Sequence, residues 1–142
     1  MQLRQVTPRY FVSPQISPED VAGLAEAGFT HVICNRPDAE VPASHQADAV
    51  GAAVKAAGLE FVVNPLTHDT MTSDRLGLQR ETLENASGKV LAYCASGTRS
   101  TVAWSLAHVV DLGADSVLDS AAAAGYDLAG LRPSLQALVE KG

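Results

Sequence analysis

No apolar run in this sequence reaches the roughly 18 residues that a membrane-spanning helix needs. The first residues, Met1-Gln2-Leu3-Arg4-Gln5-Val6, lack the apolar segment of a secretion signal. Cysteine is scarce, with two in 142 residues. Without a secretion signal, two cysteines read as thiols in a reducing compartment rather than as a structural bridge, so cytoplasm is the expected location. Basic residues number 10 against 16 acidic ones, a net charge of −6, which argues against nucleic acid or an anionic membrane as the main partner. There is no glycine-rich nucleotide fingerprint. His31, His45 and His108 have no spacing that suits a metal, and no cofactor is expected. Repeats, linkers and low-complexity tracts are also missing. What remains is a chain that is 46% hydrophobic and long enough for one core, so a single domain over residues 1–142 is expected.

Four apolar runs stand out: Tyr10-Phe11-Val12, His31-Val32-Ile33-Cys34, Glu60-Phe61-Val62-Val63 and Lys89-Val90-Leu91-Ala92-Tyr93. Helical patterns fill the gaps, so the spacing predicts an α/β fold with a mostly parallel sheet of about four strands flanked by helices. The last run is almost continuously apolar and reads as a central strand covered on both faces. Ser17 with Pro18, Glu19 and Asp20 marks the start of a first helix, and Gly28 marks its end. Ser44 is the expected cap of a second helix reaching Ala57. Ser73 or Asp74 is the expected cap of a third, running to about Ala86. A fourth begins near Ser100 and is apolar almost all round, as a buried helix is. Two short helices follow near Asp115 and Pro133.

The segment most informative about chemistry is Cys94-Ala95-Ser96-Gly97-Thr98-Arg99-Ser100. It joins the central strand to the buried helix. A strand–loop–helix junction turns backbone N–H groups inward with a helix N-terminus behind them, which stabilises an anion. Cys94 placed there would rest as thiolate and be the more reactive of the two thiols. Ala95, Ser96, Gly97 and Thr98 would supply the cradle, with Gly97 giving it conformational freedom. Arg99 can grip two oxygens of an oxyanion in a fork. Ser100 can cap the helix or donate to the sulfur. The plain alternative is a small buried core cysteine and a surface arginine. The grouping of these residues at the C-terminal end of a parallel strand, where α/β folds place ligands, favours the functional reading.

The chain resembles the phosphatase-like domain of beta-lactamase-hydrolase-like proteins, also described as a family of sulfur transferases. The resemblance covers residues 10 to about 138. It rests on 12–20 (Val-Ser-Pro-Gln-Ile-Ser-Pro-Glu-Asp), Gly28-Phe29, Asn35-Arg36-Pro37-Asp38, 92–100 with Trp104, and 125–131 (Gly-Tyr-Asp-Leu-Ala-Gly-Leu). It implies the fold of dual-specificity protein phosphatases. Ala95 departs from it, since arginine is expected after the cysteine. Cysteine-dependent phosphatases have five residues between cysteine and arginine. This chain has four, Ala95 to Thr98, the spacing of rhodanese-type sulfurtransferases.

On that spacing the expected activity is cysteine-dependent sulfur transfer. Cys94 would carry a persulfide from a small oxyanion or sulfane-sulfur donor to a thiol acceptor, with Arg99 and the loop holding the donor. The enzyme alternative is a phosphatase that forms a phosphocysteine on Cys94. Asp69, in the loop 64–71, would then be the general acid that protonates the leaving alkoxide. A solvated carboxylate in an Asx turn weighs equally for Asp69. A non-catalytic module that binds anions or a partner is the third reading. Arg36 can add charge at the rim, although a loop contact with Asp38 or Glu40 is the stronger expectation. Cys34, which also ends a strand, reads as inert core before it reads as a resolving thiol.

Overall fold

All four apolar runs become strands in the computed structural model, which describes residues 1–142, and a fifth strand joins them. The elements are β1 (Arg4–Gln5), β2 (Tyr10–Ser13), α1 (Val21–Glu26), β3 (Phe29–Cys34), α2 (Ala47–Ala56), β4 (Glu60–Val63), α3 (Ser73–Asn85), β5 (Lys89–Tyr93), α4 (Thr98–Leu112), α5 (Ala114–Ala123) and α6 (Arg132–Lys141). The sheet order is β1-β2-β5-β3-β4, and only β1 runs antiparallel to its neighbour. β5 is therefore central, as its unbroken apolar character implies. The expected sheet of about four strands lacked β1, whose two residues are both exposed and carry no apolar signal.

Strand alternation divides the core into two layers. Val90, Ala92 and Ile33 face one side, where they pack with Val12, Trp104, Val109, Val117 and Leu135. Leu91, Tyr93, Val32 and Cys34 face the other, with Val21, Leu24, Val50 and Val54 of α1 and α2. α4 crosses the first face, burying Ser100, Thr101, Ala103, Trp104, Ser105 and Val109. The register brings Ser13, Cys34 and Tyr93 level, so β2, β3 and β5 end together at one edge.

Two helix starts differ from expectation. Ser44 does not cap α2, because 43–45 form a separate short turn, and Asp38 Oδ1 accepts the Ala47 N–H at 2.8 Å instead. Thr72, rather than Ser73 or Asp74, caps α3 by accepting from the Arg75 N–H at 3.4 Å. The start read at Ser17 opens a short 3-10 turn, Pro18–Asp20, with the Asp20 carboxylate accepting the Ser17 N–H at 3.0 Å, and α1 follows from Val21.

Trp104 is 1% exposed and its ring stacks on Tyr10, with centroids 6.2 Å apart. Trp104→Ala leaves a cavity between α4 and the sheet and should destabilise the fold by about 3–5 kcal/mol. Urea unfolding followed by far-UV circular dichroism measures this; a loss under about 1 kcal/mol would mean the site collapses around the gap.

Candidate active site

Cys94 is the first residue past β5, and its side chain is fully buried. The Cys94 N–H donates to the Ser13 carbonyl at 3.3 Å, which ties it to the end of β2. By strand alternation its sulfur lies on the α4 face of the sheet, opposite to Cys34. The loop then doubles back, and the Gly97 N–H donates to Cys94 Sγ at 3.1 Å. Gly97 has φ = +93°, a conformation that glycine adopts without strain. A Cβ there would also collide with the hydroxyl of Tyr126. That hydroxyl donates to the Ser96 carbonyl at 3.0 Å, so the turn after α5 holds the loop from outside.

α4 begins at Thr98 with its N-terminus towards this loop. The amides of Ala95, Ser96, Arg99 and Ser100 donate to no protein acceptor. Together with the helix dipole they make the loop a receptor for negative charge. Such a loop can hold a thiolate or bind an oxyanion over the sulfur.

Arg99 is held in place. Its Nη1 and Nη2 donate to Glu40 Oε2 and Oε1 at 2.9 and 2.6 Å, and Nη1 also donates to the Leu66 carbonyl at 2.8 Å. The pairing with Glu40 pushes the guanidinium above its usual pKa, and the nearby Cys94 acts in the same direction. The fork expected to grip a substrate is thus already on an internal carboxylate, which offers the same two-oxygen geometry. The Nε of Arg99 is left without a protein acceptor. Arg36 donates from Nε to Glu40 at 3.2 Å and from Nη1 to Gln15 at 3.4 Å, so it is the loop contact favoured by the sequence. Arg99 first, and Arg36 second, hold the Glu40 carboxyl below the usual carboxylate range.

Ser100 is buried beneath the loop, but its hydroxyl donates to Asn35 Oδ1 at 3.0 Å. Its one proton is spent there, so the expected bond to the Cys94 sulfur is not made. Asn35 in turn donates to the Asn64 carbonyl at 3.0 Å and to Gln79 at 3.4 Å. Gln79 donates to the Tyr10 hydroxyl, which donates to the Ser100 carbonyl at 2.9 Å. This closed circuit joins β2, β3, α3 and α4 under the Cys94 loop.

A family model for the phosphatase-like domain of beta-lactamase hydrolase-like proteins matches residues 2–111. The chain belongs to this family. It is 29% identical over 130 residues to a beta-lactamase hydrolase-like protein of Xylella fastidiosa (strain Temecula1 / ATCC 700964), a match that takes in 90% of this chain and 30% of that protein. The chain thus spans less than a third of the length of the curated relatives it matches. Among solved structures, a candidate phosphatase from Neisseria meningitidis is similar at 27% identity and a TM-score of 0.84, over 97% of this chain and 99% of that one. The fold is also that of Tk-PTP in its active form, at 18% identity and a TM-score of 0.72, over 98% and 96% of the two chains. These comparisons agree with the implied fold, and the family match and the Neisseria structure favour phosphatase-like over rhodanese-like chemistry.

In this member of the family, Asp69 sits exposed at the tip of the loop after β4. The turn there is made by Thr67, whose Oγ1 accepts the Asp69 N–H at 3.3 Å, and not by the Asp69 carboxylate. The loop is anchored to the site through Leu66 and through Arg75, which donates to the Pro65 carbonyl at 2.7 Å. Cys34 donates to the Arg36 carbonyl at 3.4 Å, and burial pushes its thiol up. By strand alternation it faces the layer opposite to Cys94. Four residues escaped the sequence reading of this site: Glu40 as partner of Arg99, Asn35 and Gln79 below the loop, and Tyr126 above it. Of these, only Asn35 and Tyr126 lay in the segments that carry the family resemblance.

The two thiols should therefore differ in rate. Cys94 should react with iodoacetamide faster than Cys34 in the folded protein, read by peptide mass spectrometry; the reverse order would place the reactive thiol on the wrong face. The lowered Glu40 carboxyl stabilises the fold above the ordinary carboxylate pKa, and that contribution is lost as pH falls through the folded-state value. Glu40→Gln should lower the urea midpoint more at pH 7 than at an acidic pH below the folded-state value, where the wild-type carboxyl has taken up its proton. An equal loss at both pH values would show that charge is not what holds Arg99.

Proposed function

We propose that the chain is a cysteine-dependent phosphatase acting on phosphate monoesters. The observation that carries this reading is the buried Cys94 sulfur, met by the Gly97 amide at 3.1 Å at the head of α4 with Arg99 beside it. The likeness to the phosphatase-like family supports phosphate over sulfane sulfur. In this reading the Cys94 thiolate attacks phosphorus, a P–S bond forms and the P–O bond to the leaving group breaks. The free amides of residues 95, 96, 99 and 100 bear the charge that builds on the phosphoryl oxygens. Arg99 contributes its Nε edge, oriented by Glu40. Asp69 gives its proton to the departing alkoxide, and water then cleaves the P–S bond to release inorganic phosphate and restore the thiolate. Ser100 acts through Asn35 to hold the loop.

The four-residue spacing between Cys94 and Arg99 favours a second reading, in which the thiolate takes a sulfane sulfur from a donor such as thiosulfate and releases sulfite. That reaction needs no proton from Asp69, and this separates the two. Wild-type protein should release phosphate from aryl and alkyl monoesters, and Cys94→Ser should release none. Asp69→Asn should slow alkyl phosphates by roughly 10²–10⁴-fold and aryl phosphates with acidic phenols by less. Transfer of sulfur from thiosulfate with no phosphate release would replace this reading with the second. Turnover of neither substrate class would leave an anion-binding module.

A further inference from the structure

Arg4 is the one arginine without a partner. Arg9 donates to the carbonyls of Leu83 and Ala86, Arg75 to that of Pro65, and Arg36, Arg80, Arg99 and Arg132 each pair with a carboxylate. Arg4 is exposed on β1, the edge strand, opposite Val12 of β2. Its guanidinium lies against the turn after α5, with Nη1 3.4 Å from where a Cβ on Gly125 would be. Gly125, at φ = +100°, carries no side chain that would push it away. The next residue is Tyr126, whose hydroxyl is bonded to Ser96 and seated on Gly97. Tyr126 thus lies between Gly125, against which Arg4 rests, and the Cys94 loop. Tyr126 senses both sides: burial raises its pKa most, Arg4 opposes this and Cys94 adds to it. The nearest acidic residue in sequence, Asp127, is occupied in accepting the Ala129 N–H at 3.1 Å. From Arg4 an open cleft of about 450 Å³ continues along residues 3–8 to Ala123 and Ala124.

We propose that Arg4, flanked by Tyr126, is a second anion subsite, which selects aryl phosphomonoesters carrying a further carboxylate or phosphate about one ring beyond the transferred group. The proposal rests on the phosphatase reading for its substrate class. A chain of net charge −6 repels polyanionic substrates at long range, so a local cation beside the cradle is what admits them. The Tyr126 ring walls off the gap, and the cleft beyond Arg4 accommodates the rest of a larger acidic ligand such as a peptide.

The test compares phenyl phosphate with 3-carboxyphenyl phosphate, and a phosphotyrosine peptide with glutamine neighbours against its glutamate counterpart. Two readouts are taken: kcat/KM, and protection of Cys94 from iodoacetamide, which requires binding alone. In wild type, the acidic-to-neutral ratio should exceed that of Arg4→Gln by about three- to five-fold, the scale of one exposed ion pair. Arg4→Lys should restore it and high salt should erase it. A response in the small pair alone identifies a compact substrate, and one in both pairs an acidic peptide. The same ratio in wild type and Arg4→Gln, in both readouts, would overturn the subsite. Arg4-dependent protection without phosphate release would uphold the subsite and overturn the phosphatase reading. Absence of both protection and turnover would overturn both.

Discussion

The contact from the Gly97 amide to the Cys94 sulfur is the constraint around which this end of the protein is arranged. It requires the chain to reverse within three residues of the central strand, and the reversal requires the positive φ of Gly97. With the turn made, α4 starts at Thr98 and points its unpaired amides at the same place. Tyr126 closes over the glycine and leaves no room for a side chain. A buried sulfur with an amide donor and a helix end is suited to carry charge, whereas a cysteine in the apolar layers, such as Cys34, is suited to stay neutral.

Everything else near the loop supports that geometry from below or from the side. The circuit through Tyr10, Gln79, Asn35 and Ser100 satisfies polar groups that would otherwise be buried without partners. It also makes the loop's position depend on β2, β3 and α3 at once, so a fully paired network serves as a rigid floor. Glu40 does the corresponding work for Arg99. Glu40 comes from the turn after β3 and the Leu66 carbonyl from the loop after β4, and the two fix the guanidinium from two strands' ends. A single guanidinium therefore links the turn after β3, the loop after β4 and the head of α4.

Much of this was legible in the sequence because it rests on local patterns. Strands β2 to β5 were visible as apolar runs, the central place of β5 as an unbroken one, and the site as a cysteine, glycine and arginine between a strand and a helix. β1 was not visible, because two exposed residues paired at an edge carry no periodicity. Ser44 looked like a cap by residue type, yet Asp38 caps α2 from nine residues upstream, a distance that no local rule anticipates. The Arg99–Glu40 pair spans 59 positions, and its geometry arises only when β3 and β5 lie side by side. Loop length argued for sulfur transfer, whereas the family match favours phosphatase-like chemistry. Spacing counts residues, whereas the binding of an anion depends on how many amides and charges converge, and these are supplied by the whole fold.

The central claim is that Cys94 carries a phosphoryl group. Rapid acid quench of the protein during turnover of an aryl phosphate, followed by peptide mass spectrometry, reads this directly. The account predicts the added mass of one phosphoryl group on the peptide containing Cys94 and none on the peptide containing Cys34. An unmodified Cys94 under those conditions, together with the gain of one sulfur atom there on exposure to thiosulfate, would contradict it.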